Sequence, residues 1–137
     1  MTTRADYSAL IAQAIEARER AYCPYSGFAV GAAVLTTSDR VFPGCNVENA
    51  AYPATVCAER TALLSAFARG EREIVAIAVV ADTPEPVSPC GTCRQVIHEL
   101  APHCTVILAN MRGDICLATP QELLPGGFTG GDLPNKS

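Results

Sequence analysis

No apolar run in the sequence reaches the ~18 residues that a membrane-spanning helix needs. The first residues, Met1-Thr2-Thr3-Arg4-Ala5-Asp6, offer neither an apolar export core nor a small-residue cleavage site. A soluble, unexported, cytoplasmic protein without a membrane partner is expected. A basic stripe is also missing: ten Lys and Arg residues are scattered along a chain of net charge −4. Nothing is arranged to displace counterions from a phosphate backbone, which disfavours polymeric nucleic acid as a partner. The chain has no linker and no internal repeat, so residues 1–137 are expected to form a single domain. The seven cysteines are an odd number, spread through apolar and strand-like segments, which argues against a disulfide framework and for a reducing compartment.

Apolar material is plentiful: 49% of the residues are hydrophobic, enough to bury a core. Tyr7, Leu10, Ile11, Ala14 and Ile15 recur at steps of three and four, predicting an amphipathic helix over about 5–21, closed by Pro24. Residues 28–35 and 41–47 read as a hairpin around the turn 36–40, with small residues suited to close packing by a helix. An Ala- and Leu-rich helix is expected over 56–69, stopped by Gly70 and with little polar face, hence central. The apolar run 74–81 reads as a strand. A loop containing Pro84, Pro86 and Pro89 then leads into a helix over about 91–100. Two short strands, 104–109 and 114–118, precede a helix start with Thr119 as N-cap and Glu122 placed to reach back. Alternating strands and helices predict an α/β fold with a mixed sheet covered on its faces.

Cys90 and Cys93, two residues apart at a helix start, can point both thiolates at one ion. The same spacing also suits a redox pair. Cys57-Ala58-Glu59 opens a second helix and shifts the balance toward metal. Three thiolates then leave a fourth zinc position for water, the catalytic pattern, with Glu59 beside it as a proton shuttle. Residues i and i+2 of a regular helix point nearly opposite ways, so Cys57 is expected at the frayed or capping end. A trio of thiolates gives the ion a net charge of about −1. Compensation is expected from the two helix N-termini and from Arg60, placed to hydrogen-bond the sulfurs. Cys23, Cys45, Cys104 and Cys116 read as small buried hydrophobes, and His98 and His103 have no spacing that ties them to the metal residues.

Cys57-Ala58-Glu59 followed by Pro89-Cys90-Gly91-Thr92-Cys93 resembles the zinc nucleoside and nucleobase deaminases. With Cys as the first ligand, and with Gly44-Cys45-Asn46-Val47-Glu48-Asn49-Ala50, the chain is similar to the small homotetrameric cytidine deaminases from its first helix to Leu133. That resemblance implies a three-layer α/β fold with about five strands and helices on both faces. It also implies one Zn²⁺ per subunit on Cys57, Cys90 and Cys93, and a small nucleoside substrate. By the same likeness Phe28 packs on the pyrimidine, Asn46 and Glu48 hold the ribose hydroxyls with the Val47 backbone between them, and the Ala58 amide meets the base carbonyl. Tyr52 and Phe128 would complete pockets in neighbouring subunits. From the residues alone Phe28 also fits strand core, Asn46 and Glu48 turn or surface, and Phe128 a tail anchor.

The implied reaction is hydrolytic deamination at C4 of cytidine or deoxycytidine, with Glu59 moving the protons. Two rivals are a related deaminase such as one acting on blasticidin S, which Asn46 and Glu48 disfavour, and a non-enzymatic zinc-stabilised binding module. The module requires a fourth protein ligand, for which no well-spaced candidate is present.

Overall fold

The computed structural model describes residues 4–134. Helix α1 (Arg4–Arg18) leads to a hairpin of β1 (Val30–Thr36) and β2 (Val41–Cys45). Helix α2 (Ala58–Ala68), strand β3 (Ile74–Ala81), helix α3 (Gly91–Leu100), strands β4 (Thr105–Asn110) and β5 (Ile115–Ala118), and the single-turn helix α4 (Pro120–Leu123) follow. The strands form one sheet in the order β2-β1-β3-β4-β5, with β3 and β4 parallel and the other pairs antiparallel. The mixed five-stranded α/β sheet expected from the sequence is therefore present. No helix among the described residues is long and apolar enough to cross a membrane.

Alternation along the strands sorts the two faces. Ala32, Val34, Ile77, Val79, Val106 and Leu108 point into a core with Ala62, Leu63 and Ala66 of α2 and Ile97 of α3. Ala33, Ala76, Ala78, Val80, Ile107 and Ala109 point the other way, beneath Leu10 and Ala14 of α1. Leu63, Ile77, Ile97 and Ile107 are fully buried, each contributing about 1.5–3 kcal/mol of transfer free energy. On the second face the strand residues are mostly alanine, and Gly31 lies against the α1 backbone: a Cβ there would overlap the Ala14 carbonyl and come within 2.6 Å of the Arg18 amide. Small residues thus let α1 sit directly on the sheet.

Several boundaries differ from expectation for local reasons. Helix α1 stops at Arg18 rather than 21 because Glu19, Arg20 and Ala21 make three-residue turns back to Glu16, Ala17 and Arg18. Tyr22 is then free to pair with the segment after β2. Helix α2 is an outer layer rather than a central helix: it buries Ala58, Ala62, Leu63 and Ala66 but exposes Leu64. Cys104 is buried as expected, whereas Cys116 is exposed because β5 is an edge strand, and Cys23 and Cys45 are only partly buried. The reciprocal cap of Thr119 and Glu122 forms, but α4 lasts one turn.

Candidate active site

The site lies beyond the carboxyl end of β3, where open α/β sheets commonly bind ligands. The chain leaves β3 at Ala81 and enters α3 at Cys90, its N-cap; Cys57 is the N-cap of α2. Both cysteines have extended backbones and neither side chain makes a capping hydrogen bond, so both sulfurs are free to turn toward each other. Cys93, at the third position of α3, is buried. The tension at Cys57 and Glu59 is resolved as expected, since Cys57 stands just outside the helix. Helix α2 is fixed by a close approach to β2: Thr61 Oγ1 donates to the Cys45 carbonyl at 2.8 Å. A Cβ on Gly44 would come 2.5 Å from the Ala62 nitrogen.

The Sγ atoms of Cys57, Cys90 and Cys93 all lie within 4.8 Å of one another. Those of Cys57 and Cys90 are 3.8 Å apart, the separation that ~2.3 Å zinc–sulfur bonds at tetrahedral angles require. Among the described residues, no fourth side chain joins this group. Arg60 Nη2 donates to Cys57 Sγ at 3.5 Å and to the Thr55 carbonyl at 3.4 Å, while its buried Nε faces no acceptor. A cationic side chain turned onto clustered sulfurs suits an anionic thiolate set, and the three residues fit a zinc ion. A hydrogen bond from Cys93, aided by those from Arg60 and Cys90, pulls the Cys57 thiol down to about 5. Sharing that proton, together with burial, pushes Cys93 up.

Glu59 is 5% exposed. Burial, and next the Cys57 thiolate beside it, push its carboxyl up to about 7 against the opposing pull of its own amide and of Arg60. A cavity of about 290 Å³ opens over it. Phe28, Asn46, Cys57, Ala58, Glu59 and Cys90 line it, as does Glu48. Ala58 is the first residue of α2, so its N–H precedes the intrahelical ladder.

Not every expected residue meets the cavity directly. Asn46 lines it, but its amide is also a latch: Oδ1 accepts the Val30 amide at 2.9 Å and Nδ2 donates to the Phe28 carbonyl at 2.8 Å. Val47 lies outside the lining, its side chain exposed and its N–H and C=O both paired with Val56. Tyr52, 71% exposed, packs edge-on against Tyr25 with ring centroids 6.0 Å apart. Phe128 is 53% exposed, and its carbonyl accepts from Gln95. Neither ring lines the cavity in its own chain.

Sequence reasoning missed Ser26 and Arg94. Ser26 lines the cavity and contacts Glu48. Arg94 holds the loop into Cys90, donating to the Pro89 carbonyl at 2.8 Å, Ser88 Oγ at 2.6 Å and the Leu123 carbonyl at 2.7 Å. Its position one residue after Cys93 was the available signal, since the fourth residue of a helix faces back over the first turn.

A family model described as the cytidine and deoxycytidylate deaminase zinc-binding region matches residues 4–109. The chain is 57% identical over 129 residues to the cytidine deaminase of Halalkalibacterium halodurans, across 93% of this chain and 98% of that protein. The 1.6 Å crystal structure of the cytidine deaminase from Burkholderia pseudomallei superposes with a TM-score of 0.88 at 53% identity, covering 93% of this chain and 100% of that one. A blasticidin-S deaminase from Bacillus cereus is more distant, 33% identical over 108 residues, or 73% of this chain and 76% of its own.

Proposed function

Because the chain belongs to the cytidine and deoxycytidylate deaminase family, we propose that it hydrolyses the amine of cytidine and deoxycytidine, releasing ammonia and uridine or deoxyuridine. The observation that carries this reading is the burial of Glu59 in a cavity whose lining includes Cys57 and Cys90 on one side and Phe28, Asn46 and Glu48 on the other. A proton-transfer group, a metal-ligand set and a nucleoside-sized opening share one space.

Cys57, Cys90 and Cys93 would hold one zinc ion per subunit, which would supply the Lewis acidity that activates water near neutral pH. Glu59 takes a proton from the attacking water and passes it to N3 of the cytosine ring, making C4 more electrophilic. As the hydroxide adds to C4, Glu59 is left deprotonated; it then takes the remaining proton of the new C4 hydroxyl and delivers it to the amine, so that the C4–N bond breaks, the C4 carbonyl forms and ammonia leaves. A carboxyl near 7 can hold or release a proton at neutral pH. Arg60 withdraws charge from Cys57 through its hydrogen bond to Sγ.

Phe28 packs on the base, the Ala58 amide donates to the base carbonyl, and Glu48 and Asn46 face the sugar. Asn46 also holds the Phe28 strand, and the Val47 backbone keeps Asn46 and Glu48 in register through its pairing with Val56. In a homotetramer the exposed Tyr52 and Phe128 complete pockets of neighbouring subunits. Residues 1–137 act as one deaminase domain in cytoplasmic pyrimidine salvage.

Substitution of Glu59→Ala tests the assignment: zinc content stays at one per chain while cytidine turnover falls by orders of magnitude, and retained turnover would overturn it. Faster turnover of blasticidin S than of cytidine would transfer the substrate to the alternative.

A further inference from the structure

Two walls of the cavity, Phe28 and Glu48, are joined through one hydroxyl. Ser26 Oγ accepts the Phe28 amide at 3.0 Å and donates to Glu48 Oε2. The amides of Tyr25 and Ser26 donate to the other carboxylate oxygen, Oε1, at 2.9 and 3.2 Å. The turn that makes this possible passes through Gly27 at φ +69°, a conformation that costs an L side chain strain. These three donors, led by the Ser26 hydroxyl, hold the Glu48 carboxyl below its ordinary range, so the group is an anion that only accepts.

Counting lone pairs limits what Glu48 can still do. A carboxylate oxygen has two acceptor positions, and a serine hydroxyl has one hydrogen and two. Oε1 has both positions filled, Oε2 has one filled by Ser26, and Ser26 has committed its only hydrogen. One acceptor position remains on Glu48, and its direction is set by Ser26. We propose that Ser26 is a positioning residue for substrate recognition, aiming the last free acceptor of Glu48 at a single sugar hydroxyl and fixing Phe28 at a set distance from it. The inference rests on the nucleoside reading above and adds to it a residue and a stoichiometry: one hydroxyl, accepted by one oxygen. In the absence of the Ser26 hydroxyl, Oε2 regains a second acceptor position and the carboxylate can rotate toward water, which weakens binding more than the chemical step.

The test is a double-mutant cycle on the zinc-loaded enzyme with cytidine, using Ser26→Ala, Glu48→Ala and the double variant, with Ser26→Thr as the variant that keeps the hydroxyl. Ser26→Ala is expected to lower kcat/KM roughly tenfold, the scale of a hydrogen bond to a charged group, mostly through KM. In the Glu48→Ala background the same change should cost less than about twofold, and Ser26→Thr should recover most of the loss. Equal losses in both backgrounds, or a Ser26→Thr enzyme as poor as Ser26→Ala, would overturn the role of Ser26 and leave the deaminase assignment standing. Absence of cytidine turnover in the unsubstituted enzyme would overturn both.

Discussion

At one end of the cavity Cys57, Glu59, Cys90 and Cys93 stand on the first turns of two helices, placed by backbone geometry. At the other end Phe28, Asn46 and Glu48 stand on irregular segments, placed by one another's side chains. A helix start fixes its residues through hydrogen bonds that belong to the whole helix, so a single substitution there removes a function and leaves the scaffold. A side-chain latch is both scaffold and function, and its loss is expected to disturb binding and stability together. Metal and proton chemistry tolerate little displacement, which fits their location on the rigid end.

Substitutions at each end can break this contrast. The largest effect is expected for Cys93→Ala, which removes a buried ligand: zinc stoichiometry, read by metal analysis, should fall from one toward zero and activity with it, while the same change at Cys116 leaves zinc bound. Next is Glu59→Gln, which keeps shape and hydrogen bonding but not proton transfer. Its kcat should fall by about 10²–10⁴ with a melting temperature at least equal to the parent's, since a buried ionisable group is gone. If melting dropped steeply, Glu59 would be scaffold as well, and the contrast between the ends would fail. Asn46→Ala, at the other end, leaves the Val30 amide and Phe28 carbonyl without partners and should cost about 2 kcal/mol, lowering the melting temperature on the order of 5 °C and raising KM together.

The smallest effect serves as a control away from both ends. Burial pushes the Cys104 thiol from 9.0 up to about 12. Below pH 9 the thiol is protonated in both states and contributes nothing to pH dependence. Above it the unfolded chain binds fewer protons than the folded one, so stability falls as pH rises, by at most about 1.4 kcal/mol per pH unit from this group. Urea midpoints compared at about pH 8 and pH 10 should fall less in Cys104→Ala than in the parent, with zinc content unaffected.

The rigid end was legible in the sequence because its signals are contiguous. Cys57-Ala58-Glu59 and Cys90-Gly91-Thr92-Cys93 each carry chemistry and helix start in a few residues, and the clash of the i, i+2 spacing with helix geometry was enough to place Cys57 outside α2. The strand run 74–81 and the helix 91–100 were read at their true limits because each has one period and a clear stop. The soft end was not legible in the same way. Ser26 acquires its meaning only when Glu48 folds back across it, and β1 begins at Val30 rather than Phe28 because Ser26 and Asn46 draw Phe28 aside. Asn46 likewise ends β2 at Cys45. Local pattern carries no trace of such long-range pairings.

The seam between α1 and the sheet has a consequence for how this sequence can change. Where buried alanines form the wall and Gly31 meets the Ala14 carbonyl, any replacement of Gly31 adds atoms to a space the α1 backbone already fills. At Gly31 no side chain can be added without displacing the α1 backbone. A randomised library should therefore return Gly31 and its alanine neighbours nearly unchanged, while the exposed Leu64 on the opposite layer drifts freely.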